Sequence, residues 1–157
     1  MPTLRPGPHV FAIADIASQA RPNNPLSRSV RLITPETAGT RNVFAGMFWS
    51  DPGSSGGWSY RREGGFDPAL PFLGELDELY LCLSGRIHVD WEEGEFEFGA
   101  NDIVFFPSGY SYRTRTVGDE QVQCFYVMCP APEWLWDLGT ETVDSGGRLV
   151  TTGESNG

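Results

Sequence analysis

The sequence predicts an all-β fold, a jelly-roll barrel, and three observations carry that prediction. Short runs rich in β-branched and aromatic residues recur roughly every 8–12 residues, with turn residues between them. The chain of 157 residues holds 19 glycines and 12 prolines, the raw material of tight turns. Aromatic residues make up 13% of it, while helix-period segments are scarce. This length suits one domain with a real hydrophobic core.

Taken in order, residues 1–29 are rich in Pro, Ala and Asn and read as an arm. A short helical turn over 15–21 ends at Pro22. The barrel domain is expected to span 30–138. Its first strand is 30–33 and its second 42–49, dense in aromatic and β-branched residues. A Gly- and Ser-rich turn over 51–57 leads into a short strand over 58–62. The stretch 63–74, broken by Gly and Pro, reads as a loop at the barrel mouth. Strand 78–83 closes on Ser84 and Gly85. Strands 86–91 and 95–98 flank the turn Glu92, Glu93 and Gly94 as a hairpin. Strands follow at 102–106, 110–116 and 121–128. Pro132 fits the first turn of a short C-terminal helix. The polar, Gly-rich residues 139–157 read as a flexible tail.

Strand 78–83 says more than its neighbours. Period-two alternation puts Glu78, Tyr80 and Cys82 on one face and Leu79, Leu81 and Leu83 on the other. Three leucines do not face water in a strand with one wet side. The leucine face is therefore expected to be covered, by a second layer or by a second subunit in a homodimer. The acid and the phenol then look into the barrel.

Charge and composition exclude several function classes. A formal net charge of −10 disfavours nucleic acid and anionic membrane surfaces. All 11 basic residues are arginine, which leaves no lysine for a Schiff base or a P-loop. Cys82, Cys124 and Cys129 are odd in number and share no ligand spacing, so neither a disulfide framework nor a zinc site follows. No signal peptide and no apolar run of membrane-spanning length is read, and a cytoplasmic location is the default expectation. The only histidines are His9 and His88. His88 lies between Ile87 and Val89, whose branched side chains suit the inward face, so His88 is expected to point outward.

The pair of segments 78–85 and 101–112 resembles the signature halves of the cupin superfamily. Its first motif runs G-x5-H-x-H-x3,4-E-x6-G and its second G-x5-P-x-G-x2-H-x3-N. Glu78 and Gly85 fit E-x6-G. Pro107, Gly109 and Tyr112 fit P-x-G-x2-H, with Tyr112 in the histidine place, Asn101 in the leading glycine place and Thr116 in the final asparagine place. Pro52, Gly53 and the run Gly57, Trp58, Ser59, Tyr60 and Arg61 resemble the upstream half of motif one, with Ser59 and Arg61 replacing its histidines. Residues 63–74 would then be an insertion. Within the superfamily the chain looks most like the EutQ-like and Cupin_3 groups. It shares the short turn Gly85, Arg86, Ile87, His88, Val89 and the run from Phe125 to Pro130. That resemblance implies a double-stranded β-helix lacking the metal-binding histidines.

A usual cupin metal takes three imidazoles and one carboxylate, which two histidines cannot supply. The expectation is therefore a pocket without metal or cofactor. Glu78 is the leading catalytic candidate, since a carboxyl inside an apolar barrel can serve as general acid or base. Its partner is Tyr112, able to donate to a developing oxyanion; the plain alternative is a core tyrosine with a satisfied hydroxyl. Tyr60, Tyr80, Tyr110 and Trp58 are candidate substrate-binding residues, and Arg61 could clamp a carboxylate. The leading expectation is a metal-independent isomerase, cyclase, dehydratase or lyase acting on a small, conceivably anionic organic substrate. Its rivals are a non-catalytic small-molecule binder, an EutQ-like acetate-kinase-type or accessory protein, and a metallo-cupin with unusual ligands.

Overall fold

The computed structural model describes residues 8, 10–15, 19–21, 24–58, 74–131, 141–143 and 149–151. Among these described residues eleven strands are formed: β1 (Gln19–Arg21), β2 (Asn24–Ile33), β3 (Phe44–Ser50), β4 (Asp77–Ser84), β5 (Arg86–Trp91), β6 (Gly94–Gly99), β7 (Ile103–Phe106), β8 (Tyr112–Val117), β9 (Val122–Cys129), β10 (Glu141–Val143) and β11 (Leu149–Thr151). One six-stranded antiparallel sheet runs β1-β2-β3-β9-β4-β7, a three-stranded one runs β6-β5-β8, and β10 pairs with β11. The two larger sheets meet over one core. It joins Phe48, Tyr80, Cys82 and Cys124 of the first to Ile87, Val89, Phe98 and Tyr112 of the second. The architecture is an all-β jelly roll, as the strand spacing predicted. No helix among the described residues is long and apolar enough to cross a membrane.

Alternation along β4 follows the pattern read from the sequence. Glu78, Tyr80 and Cys82 are buried inward, while Leu79 and Leu81 are half-buried and Leu83 is exposed. His88 sits opposite the inward pair Ile87 and Val89 of the core, among carboxylates on the outer face of the small sheet. On the outer face of the large sheet Val30, Leu32 and Met47 form a second cluster, packed by Phe11, Trp49 and Phe125.

The motif residues have mechanical roles. Gly85 has φ +76, and a Cβ there would lie 2.8 Å from Val122 Cα, so both the turn and the close approach demand glycine. Asn101 takes φ 71, a left-handed conformation that asparagine tolerates in a glycine place. Its N–H donates to the Cys82 carbonyl at 2.9 Å, and the Asp102 carboxylate accepts from Gly99 N at 2.8 Å, locking the turn into β7.

Three local expectations are corrected. The first long strand starts at Asn24 rather than Val30, because Ser27 and Arg28 find register partners in Ser50 and Trp49 of β3. In place of a helical turn over 15–21 there is a 3-10 turn at Ile13–Asp15 and then β1, which pairs with β2. Sheet pairing outweighs the weak helical preference of so short a segment. A four-residue helix, α1 (Pro35–Ala38), was not read from the sequence. Its signals are explicit: Thr34 and Thr37 form a reciprocal capping box, Pro35 opens the first turn and Gly39 closes the helix at φ 69. Trp58 lies in coil, and the nearest pairing is a single bridge from Ser55 to Arg115. The remainder of the expected strand 58–62, the loop over 63–73 and the C-terminal helix lie outside the described residues.

Candidate functional site

Glu78 sits near the start of β4, opposite Phe106 of β7 and Met128 of β9. Its residue exposure is 1%. A carboxylate that has lost its water needs replacement donors. Tyr112 Oη donates to Glu78 Oε1 at 3.0 Å, and the hydroxyls of Tyr80 and Tyr112 lie 2.9 Å apart. A phenol carries one proton. Tyr80 is itself a hydrogen-bond partner of Glu78 as well as of Tyr112, and either phenol can donate in the contact between the two hydroxyls. The resulting chain links Tyr80, Tyr112 and Glu78. Burial, then the neighbouring Glu78 charge, pushes the Tyr80 phenol well above its ordinary value, so it stays protonated.

Aromatic packing holds this chain in place. Phe106 stacks on Tyr112 at 4.2 Å between centroids, while Phe48 and Phe106 each present an edge to Tyr80 at 5.1 Å. Tyr126 on β9 completes the inward face. It is paired in register with Gly46, whose missing side chain leaves room for the Tyr126 hydroxyl: a Cβ there would come within 2.7 Å of it. Tyr126 was not singled out from the sequence, although alternation from Val122 through Cys124 points to it.

Two cavities adjoin these residues. An apolar one of about 190 Å³ is walled by Trp91, Phe96, Phe105, Phe106, Pro107, Tyr110, Ser111 and Tyr112. A small polar one of about 30 Å³ has Tyr80 in its wall beside Ser27, Ser50, Ser54, Thr114 and Thr116. Tyr112 thus belongs to both the hydrogen-bonded chain and the apolar cavity.

The expected site residues fall into four groups. Glu78, Tyr80 and Tyr112 come together in the interior. Tyr110 lies at the mouth, partly exposed, edge-on to Trp91 at 5.3 Å. Trp58 has the Arg113 guanidinium over its ring at 5.2 Å, and Arg113 leaves β8 on the face opposite Tyr112. Tyr60 and Arg61 lie outside the described residues, as does Ser59. Trp91, Phe96 and Ser111 were not foreseen. Trp91 ends β5 and Ser111 precedes β8, where alternation gives no reliable direction, while Phe96 lies within β6.

A second titratable cluster covers the outer face of the small sheet. His88 Nε2 lies 3.1 Å from Asp90 and 3.3 Å from Glu95, and its Nδ1 3.4 Å from Glu97. Asp90 also accepts from Arg113 Nε at 2.9 Å. Arg113, and after it His88, hold the Asp90 carboxyl below the usual carboxylate range. His88, Asp90 and Glu95 offer ligand atoms within 4.8 Å of one another. Their ligand atoms already contact one another and Arg113, and the cluster faces away from Glu78.

Residues 73–128 match the family model described as the Cupin domain. The structure of KdgF from a Halomonas species is 12% identical, with 81% of this chain and 97% of that one covered and a TM-score of 0.63. The chain has a cupin fold. A Thermotoga maritima protein described as a predicted oxalate decarboxylase is 19% identical over 78% of this chain and 99% of that one, with a TM-score of 0.61. The Clostridium difficile EutQ protein is 16% identical over 73% and 68%, with a TM-score of 0.51. No curated protein matches the sequence. Identities this low speak to the fold alone, and chemistry must come from the site.

Many proteins of this fold hold a metal where Glu78 and Tyr112 stand. Among the described residues that place offers one carboxylate and two phenols, one of them kept protonated by burial, and no imidazole. This donor set does not fit the three-imidazole, one-carboxylate centre.

Proposed function

We propose that this chain is a metal-independent enzyme that moves a proton on a small organic substrate, with Glu78 as general base and acid and Tyr112 as hydrogen-bond donor. The observation that supports it is the buried Glu78 carboxylate accepting the Tyr112 hydroxyl at 3.0 Å. A carboxylate in a site closed to water can take a proton from a carbon acid or hydroxyl presented to it. Tyr112, turned from Glu78 to a substrate oxygen, stabilises the charge that develops there, and Tyr80 backs it with the next proton. The proton taken by Glu78 returns to a neighbouring carbon in an isomerisation, or to a departing hydroxyl in a dehydration. Both steps balance without an external oxidant or reductant.

The test is solvent exchange. The protein is incubated in D2O with a panel of small ketones, keto acids and hydroxy acids, and loss of C–H signal is followed by NMR. Glu78→Gln is expected to slow exchange by about 10²–10⁴-fold, and Tyr112→Phe by about 10²–10³-fold. Exchange by Glu78→Gln at the wild-type rate would sink the reading. Binding of a panel member with no exchange by the wild type favours a non-catalytic binder.

The leucine face of β4 supports a second copy as partner. Leu79 is paired with Phe105 and Leu81 with Ile103, and the exposures of Ile103, Phe105 and Leu83 are 69%, 59% and 47%. This strip continues the buried cluster on the same sheet face, so we propose that a homodimer covers it.

A further inference from the structure

We infer that the aromatic cavity beside Tyr112 binds a neutral, single-ring molecule carrying one hydroxyl or carbonyl group, which the Ser111 hydroxyl engages. This names the kind of molecule held beside Tyr112 and rests on the reading above for its chemistry. The binding is tested without turnover, so the two can fail separately.

Size comes first. An apolar protein cavity of about 150 Å³ takes up a benzene molecule. The volume here, about 190 Å³, accommodates one six-membered ring with a small substituent. Shape and chemistry agree with size. Trp91 and Tyr110 meet edge to face at an interplanar angle of 79°, while Phe96 and Phe106 lie 6.4 Å apart and tilted. Such walls present both faces and edges, the two surfaces against which a ring packs. None of the residues that line the cavity is charged. With a chain of net charge −10 around it, an anion would enter without a counter-charge.

The polar element is Ser111. Its exposure is 0%, and its Oγ is the buried side-chain polar atom that finds no hydrogen-bond partner among the described residues. Buried hydroxyls are almost always paired. Ser111 lines the aromatic cavity together with Pro107, and a turn about its χ1 bond brings the covered hydroxyl to that wall. A ligand oxygen supplies the missing partner and fixes which end of the ring points toward Tyr112.

Phenol, cyclohexanol and benzoate are the probes, titrated into the full-length protein while the Trp91 indole N–H is followed by NMR. The other four tryptophans serve as internal references. Phenol is expected to move the Trp91 signal with a Kd on the order of 1 mM, the range open to so small a ligand, and benzoate to bind at least about tenfold more weakly. Ser111→Ala should weaken phenol by roughly 5–10-fold, the size of one neutral hydrogen bond, without lowering the melting temperature. Tyr110→Ala, at a partly exposed position, removes a wall and should weaken phenol and cyclohexanol alike. A Trp91 signal that stays still, benzoate binding as tightly as phenol, or Ser111→Ala and Tyr110→Ala both binding like the wild type would each overturn the assignment.

Discussion

Cys82 and Cys124 face each other across β4 and β9 in the same interior that holds Glu78, and neither is exposed. What a side chain does there depends on whether burial is compensated. Glu78 keeps its place because phenol hydroxyls replace water. Tyr80 pays for its burial in acidity, and the two thiols do likewise. Desolvation pushes the Cys82 thiol up and drives that of Cys124 higher still, with the neighbouring sulfur adding to the effect. Only the thiolate reacts readily. A thiol reagent at neutral pH should therefore modify Cys129, which is exposed, and all three cysteines only after unfolding. Rapid labelling of Cys82 or Cys124 in the native protein, located by peptide mass spectrometry, would contradict this burial. Tyr80 adds a pH dependence of defined sign. Its phenol is raised in the folded state, so the stability it contributes is full below the ordinary tyrosine value. That stability is lost as pH climbs from there toward the raised value.

At the scale of elements, the turn between β4 and β5 decides whether the site strand stays in register. A bulge between Cys82 and Ser84 shifts the pairing of β4 with β9, and Gly85 turns the chain directly afterwards. The Gly85→Ala side chain would meet Val122 Cα at 2.8 Å and the Gln121 carbonyl at 2.9 Å, in a backbone at φ +76. Strain and overpacking together should cost about 2–4 kcal/mol, read as a lower urea midpoint at unchanged m-value. A midpoint within error of wild type would mean that this turn relaxes freely. Period-two alternation made β4 readable in advance because one of its faces is dry. The same reasoning failed at the N-terminus. β1 has three residues, and only its partner β2 makes it a strand.

For the whole molecule, the open question is what covers the strip of Leu79, Leu81, Leu83, Ile103 and Phe105. A stable pair of subunits needs roughly 800 Å² from each partner, so the contact must spread across β4, β7 and β9. Sedimentation of the wild-type protein should give twice the chain mass. Ile103→Asp, which places a charge on a residue that the isolated chain leaves 69% exposed, should give a single-chain mass with an unchanged near-UV spectrum. A wild-type protein that sediments as one chain would remove the second copy as the occupant of this face.

The sequence by itself determined the all-β class, the strand carrying Glu78, Tyr80 and Cys82, the outward direction of His88 and the likeness to the cupin motifs. These are matters of period, turn residues and count, which a chain displays without its neighbours. It also supplied the pair Glu78 and Tyr112, since motif spacing fixes which strand end each occupies. Only the tertiary structure decided that Tyr80 bridges to the same hydroxyl, that Gly46 makes room for Tyr126, and that Trp91, Phe96 and Ser111 enclose a cavity. Those contacts join residues on different strands, some of them dozens of positions apart, brought together by sheet pairing across the barrel. Distance along the chain carries no record of them, because burial and hydrogen bonding are properties of what lies opposite, not of what lies next.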